Sequence, residues 1–467
     1  MRHVNTKKNF FIFLLVGFAA FFIPPLDIQA QRQEPGDPSH TPQRNVDLAG
    51  RNEVFSLDRC IETALENNPE IAAAKWDISA ANSRLDAARA AFWPQVSVEG
   101  GFQNYVDSQR LIAARKNGEL GVFDDNILSG NLVAKMNLYS GGRTTSEAGA
   151  AEKLSEAEAK KFIRTKDELI YGVTAIFYSI LGQQKIVASL EFSKSALAEH
   201  LIRVTQLYEL QKAAKVDILR TEVGLANLKQ NIIKEENTLA AQKRLLFNLM
   251  GLDVIPEEAL FDEKLEPAET PVDKARLVDT ALQNRPDYQA AKDRMEAQAL
   301  RVEAAKAGHR PSINLVGTYG VRNAPSPEDI GRNTKSTEDA GFIGVLLTVP
   351  LFEGGRVSAK VSEETAALSA ARERLRKLEL QIRQETETAA LDVVANKARI
   401  KATEKSIEQA KESFRIESLK YDLGKGSIMD VLDATSAQVQ AETNYYRAMI
   451  DYYISMAKLK LATGGTI

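Results

Sequence analysis

The chain of 467 residues contains two copies of one unit. The segment ALENNPEIAAAKWD at 64–77 returns as ALQNRPDYQAAKDR at 281–294, and LYSGGR at 138–143 returns as LFEGGR at 351–356. A period of roughly 200 residues is far longer than that of a solenoid, whose repeats have about 20–50 residues. The sequence therefore predicts a duplicated domain.

Composition changes divide the chain into segments around the two repeats. A basic start, a short apolar run from Phe10 to Ile23 and a small residue at Ala30 indicate a secretory signal peptide at 1–30, because a membrane-spanning helix needs about 20 apolar residues. The polar, proline-rich stretch after it indicates a disordered leader at 31–55. We predict the first repeat at 56–251, an acidic connector at 252–274 and the second repeat at 275–467.

Each repeat contains a pair of segments in which apolar and polar residues alternate, at about 95–139 and about 312–352. Val96, Val98 and Phe102, for example, share one face of a strand. Alternating strands of about ten residues are typical of a transmembrane β-barrel, although one such strand alone is more often part of a soluble hairpin. Two copied hairpins in an exported chain favour the barrel. Four strands cannot close a barrel and an open edge cannot face lipid, so we expect two or three copies to associate.

Aromatic residues lie near the predicted strand ends, where a belt at the interface with outer-membrane lipid is expected. They are Phe92, Trp93, Tyr105, Tyr139, Tyr319 and Phe352. Pro350 falls within the last strand, where a proline is tolerated only near a strand end or sheet edge.

A very long helical segment follows each Gly-Gly-Arg. From Arg143 to Tyr208 no proline interrupts the chain, which at about 1.5 Å per residue corresponds to roughly 100 Å of helix. The returning helix at 216–250 has two apolar stripes with a period of seven residues, which predicts coiled-coil packing. The first stripe is Ile218, Leu225, Ile232, Leu239 and Leu246, and the second is Leu219, Ala226, Ile233, Ala240 and Phe247. We predict helical hairpins with tips at about 209–215 and about 422–427.

The composition excludes several functional classes. The net charge of −3 gives no electrostatic basis for binding nucleic acid. A single cysteine, Cys60, excludes an internal disulfide and a multi-cysteine metal site. The four histidines are scattered, and the common metalloprotease, hydrolase and dinucleotide-binding motifs are absent. We therefore predict no enzyme activity, no cofactor and no metal site.

The segment KYDLGKGSIMDVLDAT at 420–435 contains the candidate functional residues. Gly424 suits the left-handed position that ends a helix, and Ser427 with Asp430 resembles a capping box at the start of the next one. Asp430 and Asp433 would share one face of that helix. Capping alone explains Asp430, whereas in a closed cylinder copies of both aspartates would also converge around the axis.

The paired Asn-x-Pro breaks, VPLFEGGR at a strand-to-helix junction and YDLGKGSIMDVLDAT together resemble the TolC-like outer membrane efflux protein family, over essentially the whole mature chain. The resemblance implies a mixed α and β fold, in which a homotrimer shares a β-barrel in the outer membrane of a Gram-negative bacterium and continues as an α-helical barrel into the periplasm. It implies a channel-tunnel that serves as the exit duct of a tripartite efflux or type I secretion system. The implied partners are a periplasmic adaptor (membrane fusion) protein and an inner-membrane transporter of the RND, ABC or MFS type.

The resemblance also implies roles for tip residues. Asp430, Asp433, Tyr421 and Asp217 match the gate at the narrow tunnel entrance, where the paired aspartates form acidic rings that attract cations. Tip residues expected to contact the adaptor are Gly424, Lys425, Gly426, Gln211, Lys212 and Lys215. The chain departs from the family at Gly426, where an arginine is usual, and Lys425 or Lys215 could substitute for it. Gln211 stands where the second repeat has Gly424, so only the repeat predicts a helix break there.

A non-conducting coiled-coil protein of the cell envelope, either a structural spacer or an adhesin, is the alternative function. It explains the seven-residue stripes equally well, but it requires neither an acidic ring nor symmetric strand hairpins. The substrate and the class of transporter are left open by the sequence.

Overall fold

The computed structural model describes residues 54–113, 121–253, 260–261, 274–327 and 336–465. The signal peptide predicted at 1–30, the leader up to residue 53 and most of the connector predicted at 252–274 lie outside these residues. The two repeats have the same order of elements: two shorter helices, a β-hairpin, a helix of 67 residues and a helix of 35 residues.

The first repeat comprises β1 (Val54–Phe55), α1 (Leu57–Asn67), α2 (Pro69–Ala90), β2 (Gln95–Ile112), β3 (Val122–Tyr139), α3 (Arg143–Glu209) and α4 (Lys215–Leu249). A short strand of the connector, β4 (Leu260–Phe261), follows. The second repeat comprises α5 (Lys274–Asn284), α6 (Pro286–Lys306), a 3₁₀ turn (Ala307–His309), β5 (Ser312–Asn323), β6 (Thr337–Thr348), α7 (Arg356–Asp422) and α8 (Ile428–Ala462).

The Asn-x-Pro break of the first repeat joins three helices. Pro69 begins α2, since proline fits the first helical position, and the Asn68 side chain accepts hydrogen bonds from the backbone N–H of Glu70 and Ile71 at 2.7 and 3.4 Å. The Asn68 amide also donates to the Leu249 carbonyl at 2.9 Å. The end of α4 is thereby fastened to the start of α2, and both helices pack along α3.

The four long strands form one antiparallel sheet in the order β2-β3-β5-β6. β2 and β3 have 18 residues each, and β5 and β6 have 12. The expected length of about ten residues is therefore too short, because backbone pairing continues beyond the alternating segments, as far as Ile112 with Val122 in the first hairpin. The last strand ends at Thr348, so Pro350 and Leu351 lie outside it, contrary to the prediction.

The register places apolar side chains of neighbouring strands in rows on one face of the sheet. Val98 pairs with Leu132, and Leu132 pairs with Tyr319. Directly paired residues point to the same side of a sheet. The Val98 and Tyr319 side chains are 75% and 63% exposed, so the rest of the chain does not cover this face.

The aromatic residues predicted for the membrane interface have different positions. Phe92, Trp93, Tyr139 and Phe352 are exposed and lie where the strands meet the helices, whereas Tyr319 lies inside β5. Tyr105 donates a hydrogen bond of 2.6 Å to Gln103, its neighbour at i−2, and so lies on the polar face. Strand alternation thus turns Tyr105 away from the apolar row, and its place at the membrane interface stays a prediction.

The helices form a layer whose neighbours change along its length. In the half next to the sheet the packing order is α2-α3-α6-α7, and in the half next to the tips it is α4-α3-α8-α7. The first predicted stripe of α4 packs inward, with Ile232 and Leu246 buried, whereas Leu219 and Ile233 of the second stripe are 50% and 66% exposed. Within the described residues, none of the helices has the length and the apolar character needed to cross a membrane.

An aromatic cluster holds the described part of the connector against the first repeat. β1 and β4 pair in parallel, and the Phe261 ring lies 5.6 Å from that of Phe55 and 6.0 Å from that of Phe177 on α3. Phe247, which the sequence placed in the second stripe of α4, is buried here against Phe55. The connector thus contributes a side chain to the hydrophobic core at the middle of the helical layer.

α3 and α8 pack tightly against each other at Gly182. A Cβ atom at Gly182 would overlap Ile450, whereas one at Gly172, ten residues earlier on α3, would lie 3.8 Å from the nearest atom of Leu249. We expect Gly172→Ala to stabilise the protein by up to about 1 kcal/mol, the usual gain inside a helix. Gly182→Ala should destabilise it by about 1–3 kcal/mol, because overpacking exceeds that gain.

The thermal midpoint of the detergent-extracted protein measures both effects. Gly182→Ala/Ile450→Ala is the control, because removing the Ile450 branches leaves room for the new methyl group and should reverse part of the loss. Equal midpoints for the Gly172→Ala and Gly182→Ala proteins would contradict the predicted overlap.

Candidate functional site at the helical tips

Both helical hairpins turn through the same hydrogen-bonded motif. At the second tip, the Lys425 N–H donates to the Lys420 carbonyl at 2.8 Å and the Gly424 N–H donates to the Tyr421 carbonyl at 2.9 Å, with Gly424 at a φ of 69°. This pattern is the Schellman motif that ends helices. The equivalent bonds at the first tip join Lys212 to Leu207 and Gln211 to Tyr208.

Gln211 has the left-handed conformation that Gly424 has in the second repeat. Its φ is 57°, and it is the one non-glycine residue with a positive φ among those described. Side chains with a Cβ adopt this conformation at a cost of about 1 kcal/mol or more. No local residue preference therefore predicts the turn at Gln211, which the tertiary packing of α3 against α4 imposes.

The tip carboxylates cap the returning helices. Ser427 accepts a hydrogen bond from the Met429 N–H at 3.1 Å, and the Asp430 carboxylate accepts one from the Ser427 N–H at 3.1 Å. Asp217 accepts a corresponding bond from the Ala214 N–H at 3.3 Å. Asp430 and Asp433 are both exposed, so capping leaves their charges open to solvent.

Tyr421 joins the two repeats at the tip. Its side chain is buried in a cluster with Val204, Ile428 and Val431, and its hydroxyl lies 3.4 Å from an Asp217 carboxylate oxygen. Burial raises the pKa of Tyr421 to about 12, and the nearby negative charge of Asp217 adds to the shift. The structure thus brings together two of the predicted gate residues, whereas Asp430 and Asp433 lie outside this cluster.

The turn at Gly426 is closely packed on the last turn of α7. A Cβ atom at Gly426 would lie 3.0 Å from the Cβ of Lys420 and 3.1 Å from the Tyr421 nitrogen. An arginine here would require a small shift of that turn. Lys425 and Lys215, the predicted substitutes for the usual arginine, are exposed, as are Gln211 and Lys212.

Two further interactions between α3 and α7 were not predicted from the sequence. An Arg203 nitrogen lies 3.9 Å from an Asp422 carboxylate oxygen, and the buried His200 ring lies 5.2 Å from the Tyr421 ring. The burial of His200 could have been predicted from the spacing of its apolar neighbours on α3. Together with Leu197 and Val204 it follows the three-and-four-residue spacing of a coiled-coil seam, so that a polar ring occupies a core position.

A groove separates the two returning helices beside the tips. It has a volume of about 620 Å³, and Leu219, Val223 and Leu432 are among the apolar residues that line it. Direct packing between α4 and α8 is sparse here, since α3 packs against both helices. The surface of the tip region therefore combines this apolar groove with the exposed carboxylates of Asp430 and Asp433.

Comparisons with known proteins agree with this architecture. The family model described as "Outer membrane efflux protein" matches residues 60–252 and 277–465. The outer membrane protein TolC of Vibrio cholerae is 24% identical over 410 residues, which cover 88% of this chain and 90% of that protein. The proteases secretion protein PrtF of Dickeya chrysanthemi is 23% identical over 413 residues, covering 85% of this chain and 84% of PrtF.

A solved structure supports the fold. The CmeC outer membrane channel of Campylobacter jejuni superposes with a TM-score of 0.75 at 16% identity, covering 88% of this chain and 85% of CmeC. The two family matches coincide with the two repeats, apart from the connector and the N-terminal region. The predicted channel-tunnel fold and outer-membrane location are thereby confirmed, and the chain belongs to the outer membrane efflux protein family.

Proposed function

We propose that three copies of this chain form one continuous duct, closed at its periplasmic tip when at rest. Four strands from each copy would make a shared barrel, and the helical layers would make a tunnel below it. The duct conducts passively, without catalysis, from the periplasm or from an inner-membrane transporter of the RND, ABC or MFS type to the exterior. A periplasmic adaptor protein would join the tip to that transporter.

The main support for the proposal is that the sheet has two open strand edges, one on each side of the chain. Among the residues that the structure describes, β2 and β6 each pair with one neighbouring strand. β2 continues from α2, which is stacked on α4, whereas β6 continues into α7. Each lateral edge therefore combines a strand with helices, and each presents exposed apolar side chains. They include Leu219 and Ile233 on α4 and Leu391 and Val394 on α7.

Association with further copies of the chain would pair the backbone groups of both open strand edges at once. An unpaired strand edge cannot remain in lipid, and the two edges differ, so the contact joins one edge to the opposite edge of the next copy. Contacts of this kind close into rings when the rotation between copies permits. The second stripe of α4 would then pack against α7 of the neighbouring copy.

The charges at the tips fit the entrance of such a duct. In a closed ring, Asp430 and Asp433 of each copy would face the axis and attract cations. The contact between Tyr421 and Asp217 would hold α7 close to α4, and so keep the tip narrow. The groove between α4 and α8, together with Gly424, Lys425, Gly426, Gln211, Lys212 and Lys215, would receive the adaptor.

Single-channel conductance in planar bilayers tests the proposal. We expect a small, cation-selective conductance that multivalent cations block from the periplasmic side. Asp430→Asn/Asp433→Asn should abolish the block, because the carboxylates that bind the cations are gone. Asp58→Asn/Glu62→Gln removes two exposed acids of α1, far from the tips, and should leave the block unchanged.

The mass of the extracted oligomer tests the copy number separately. A mass of three chains is expected. A monomer, or a correctly folded oligomer without conductance, would overturn the proposal and favour a coiled-coil spacer of the cell envelope.

A further inference from the structure

His200 is a buried ring whose outer nitrogen lacks a partner. The side chain is 2% exposed, and its Nε2 atom has no hydrogen-bond partner among the residues that the structure describes. The ring is tilted by 58° against Tyr421 of α7. Ser418, one turn before Tyr421 on α7, also has a buried hydroxyl without a partner in this part of the structure.

Two buried polar atoms without partners, one on α3 and one on α7, are unusual among packed helices. A buried donor or acceptor without a partner costs about 1–3 kcal/mol, and an apolar side chain would avoid that cost. In a channel that must open at this point, however, an easily broken contact between α3 and α7 has a use. His200 is also the one described histidine at the tips, since His309 lies next to the sheet.

The charged groups around His200 oppose its protonation in the closed state. Burial lowers the pKa of the imidazole below its usual 6.5, and the positive charge of Arg203 on the same helix adds to this, while Asp422 on α7 acts in the opposite direction. Asp217 on α4 reaches the cluster through the Tyr421 hydroxyl. The contributions of α8 to the cluster, Ile428 and Val431, are apolar and cannot stabilise an imidazolium.

We propose that His200 is an acid-sensitive latch that releases the tip of this channel when it is protonated. The inference rests on the proposed tip gate and adds a stimulus to it. A proton on Nε2 places a charge in the buried region where the His200 and Tyr421 side chains meet, and movement of α7 away from α3 exposes that charge to water. The Tyr421–Asp217 contact lies in the same layer and breaks in the same movement.

The direction of the effect follows from linkage. The ring is neutral in the closed state and binds protons more readily in the open, solvated state. The closed state therefore has its full stability above about pH 6.5 and loses it as the pH falls toward the lowered pKa of the buried ring. The ratio of closed to open chains falls by up to about tenfold per pH unit in that range, and three chains that move together would multiply the effect.

Open probability in planar bilayers, measured with the periplasmic side between about pH 8 and about pH 5, tests the latch. The wild-type channel should open as the pH falls below about 6.5. His200→Gln keeps a polar side chain that cannot take up a proton, and it should remove this response, whereas His309→Gln should respond like wild type. The carboxylates at the entrance are the same in all three proteins, so any response that they cause is common to all.

Two charge variants keep the test decisive if His200→Gln does not assemble. After normalisation to the open probability at about pH 8, Arg203→Gln should give a smaller acid response than wild type, because the buried ring then accepts a proton more easily while the tip is closed. Asp422→Asn should give a larger response. If the Arg203–Asp422 ion pair acted only by holding α3 and α7 together, loss of either partner would shift the acid response of the open probability in the same direction.

Each outcome separates the latch from the duct. A channel that conducts, but opens equally in wild type and His200→Gln at every pH, overturns the latch and leaves the proposed duct intact. Absence of conductance at any pH from a correctly folded oligomer overturns the duct, and the latch with it. Opposite shifts in the two charge variants, together with a His200→Gln profile that lacks the acid opening shared by wild type and His309→Gln, support both.

Discussion

Replacing Gly251 by alanine is expected to destabilise the protein by about 3 kcal/mol or more, and Gly464→Ala by somewhat less. Both glycines end the second helix of a hairpin, at φ values of 70° and 76°. A Cβ atom at Gly251 would lie 2.7 Å from the backbone carbonyl carbon of Asn67, and one at Gly464 would lie 2.9 Å from that of Asn284. Backbone atoms cannot move aside as a side chain can, so the clash forces apart the junction of three helices.

Gly424→Ala separates the clash from the backbone strain. Gly424 has a φ of 69°, but a Cβ atom there would have no neighbour within 4 Å. Gly424→Ala should therefore lower the stability only by the strain of the left-handed backbone, about 1–2 kcal/mol. The thermal midpoints of the extracted oligomers give the comparison. A Gly251→Ala protein as stable as Gly424→Ala would show that the junction is more open than the structure indicates.

Gly251 and Gly464 illustrate which features could be predicted from the internal repeat. The pairing of Gly251 with Gly464 was visible in the sequence, as was the pairing of the Asn-x-Pro segments against which they pack. Hydrophobic periodicity distinguished strands from helices, because periods of two and of seven residues cannot be confused over such long segments. What periodicity cannot show is that the paired features touch each other, since their contact depends on how α4 and α2 are stacked along α3.

The errors have physical causes of the same kind. Strand length was underestimated because pairing between two backbones does not require alternation of their side chains, and the hairpins continue past the alternating part. The face that Tyr105 occupies could not be predicted from its place near a strand end, because the face of a strand residue depends on register. His200 was dismissed as one of four scattered histidines, because its partner Tyr421 lies 221 residues away in sequence and reaches it only through the packing of the two repeats.

Arg285→Met is expected to destabilise the protein by about 3–5 kcal/mol, the usual result of breaking a buried ion pair from one side. The Arg285 side chain is 2% exposed and binds both Asp287 oxygens, at 3.1 and 2.6 Å, and Glu385 on α7 at 2.6 Å. Methionine fills a similar space but leaves the partly buried Asp287 without this partner. Glu385 is half-exposed and can be solvated instead.

The acid dependence of stability identifies the lost charge. Burial alone would raise the pKa of Asp287, but the hydrogen bonds and charge of Arg285 bring it below the usual range. In wild type the Asp287 carboxylate therefore stabilises the fold above about pH 4, and this contribution is lost as the pH falls further. In Arg285→Met the Asp287 carboxylate keeps only the charge of Arg164 and the hydrogen bond from the Tyr288 N–H, so its pKa is less depressed than in wild type. The gap between the two thermal midpoints should therefore narrow as the pH is lowered below about 4.

The double variant Arg285→Met/Asp287→Leu decides whether charge or packing is responsible. Apolar residues often replace a buried pair without loss, so the double variant should recover most of the stability lost in the single variant. The first repeat supports this expectation, because Asn68 occupies the position of Arg285 there and completes the same break with hydrogen bonds to Glu70, Ile71 and Leu249 and no charge. If single and double variants lose the same stability, the guanidinium acts through its volume alone. If the double variant recovers, the second repeat holds an ion pair that its own fold does not require for stability.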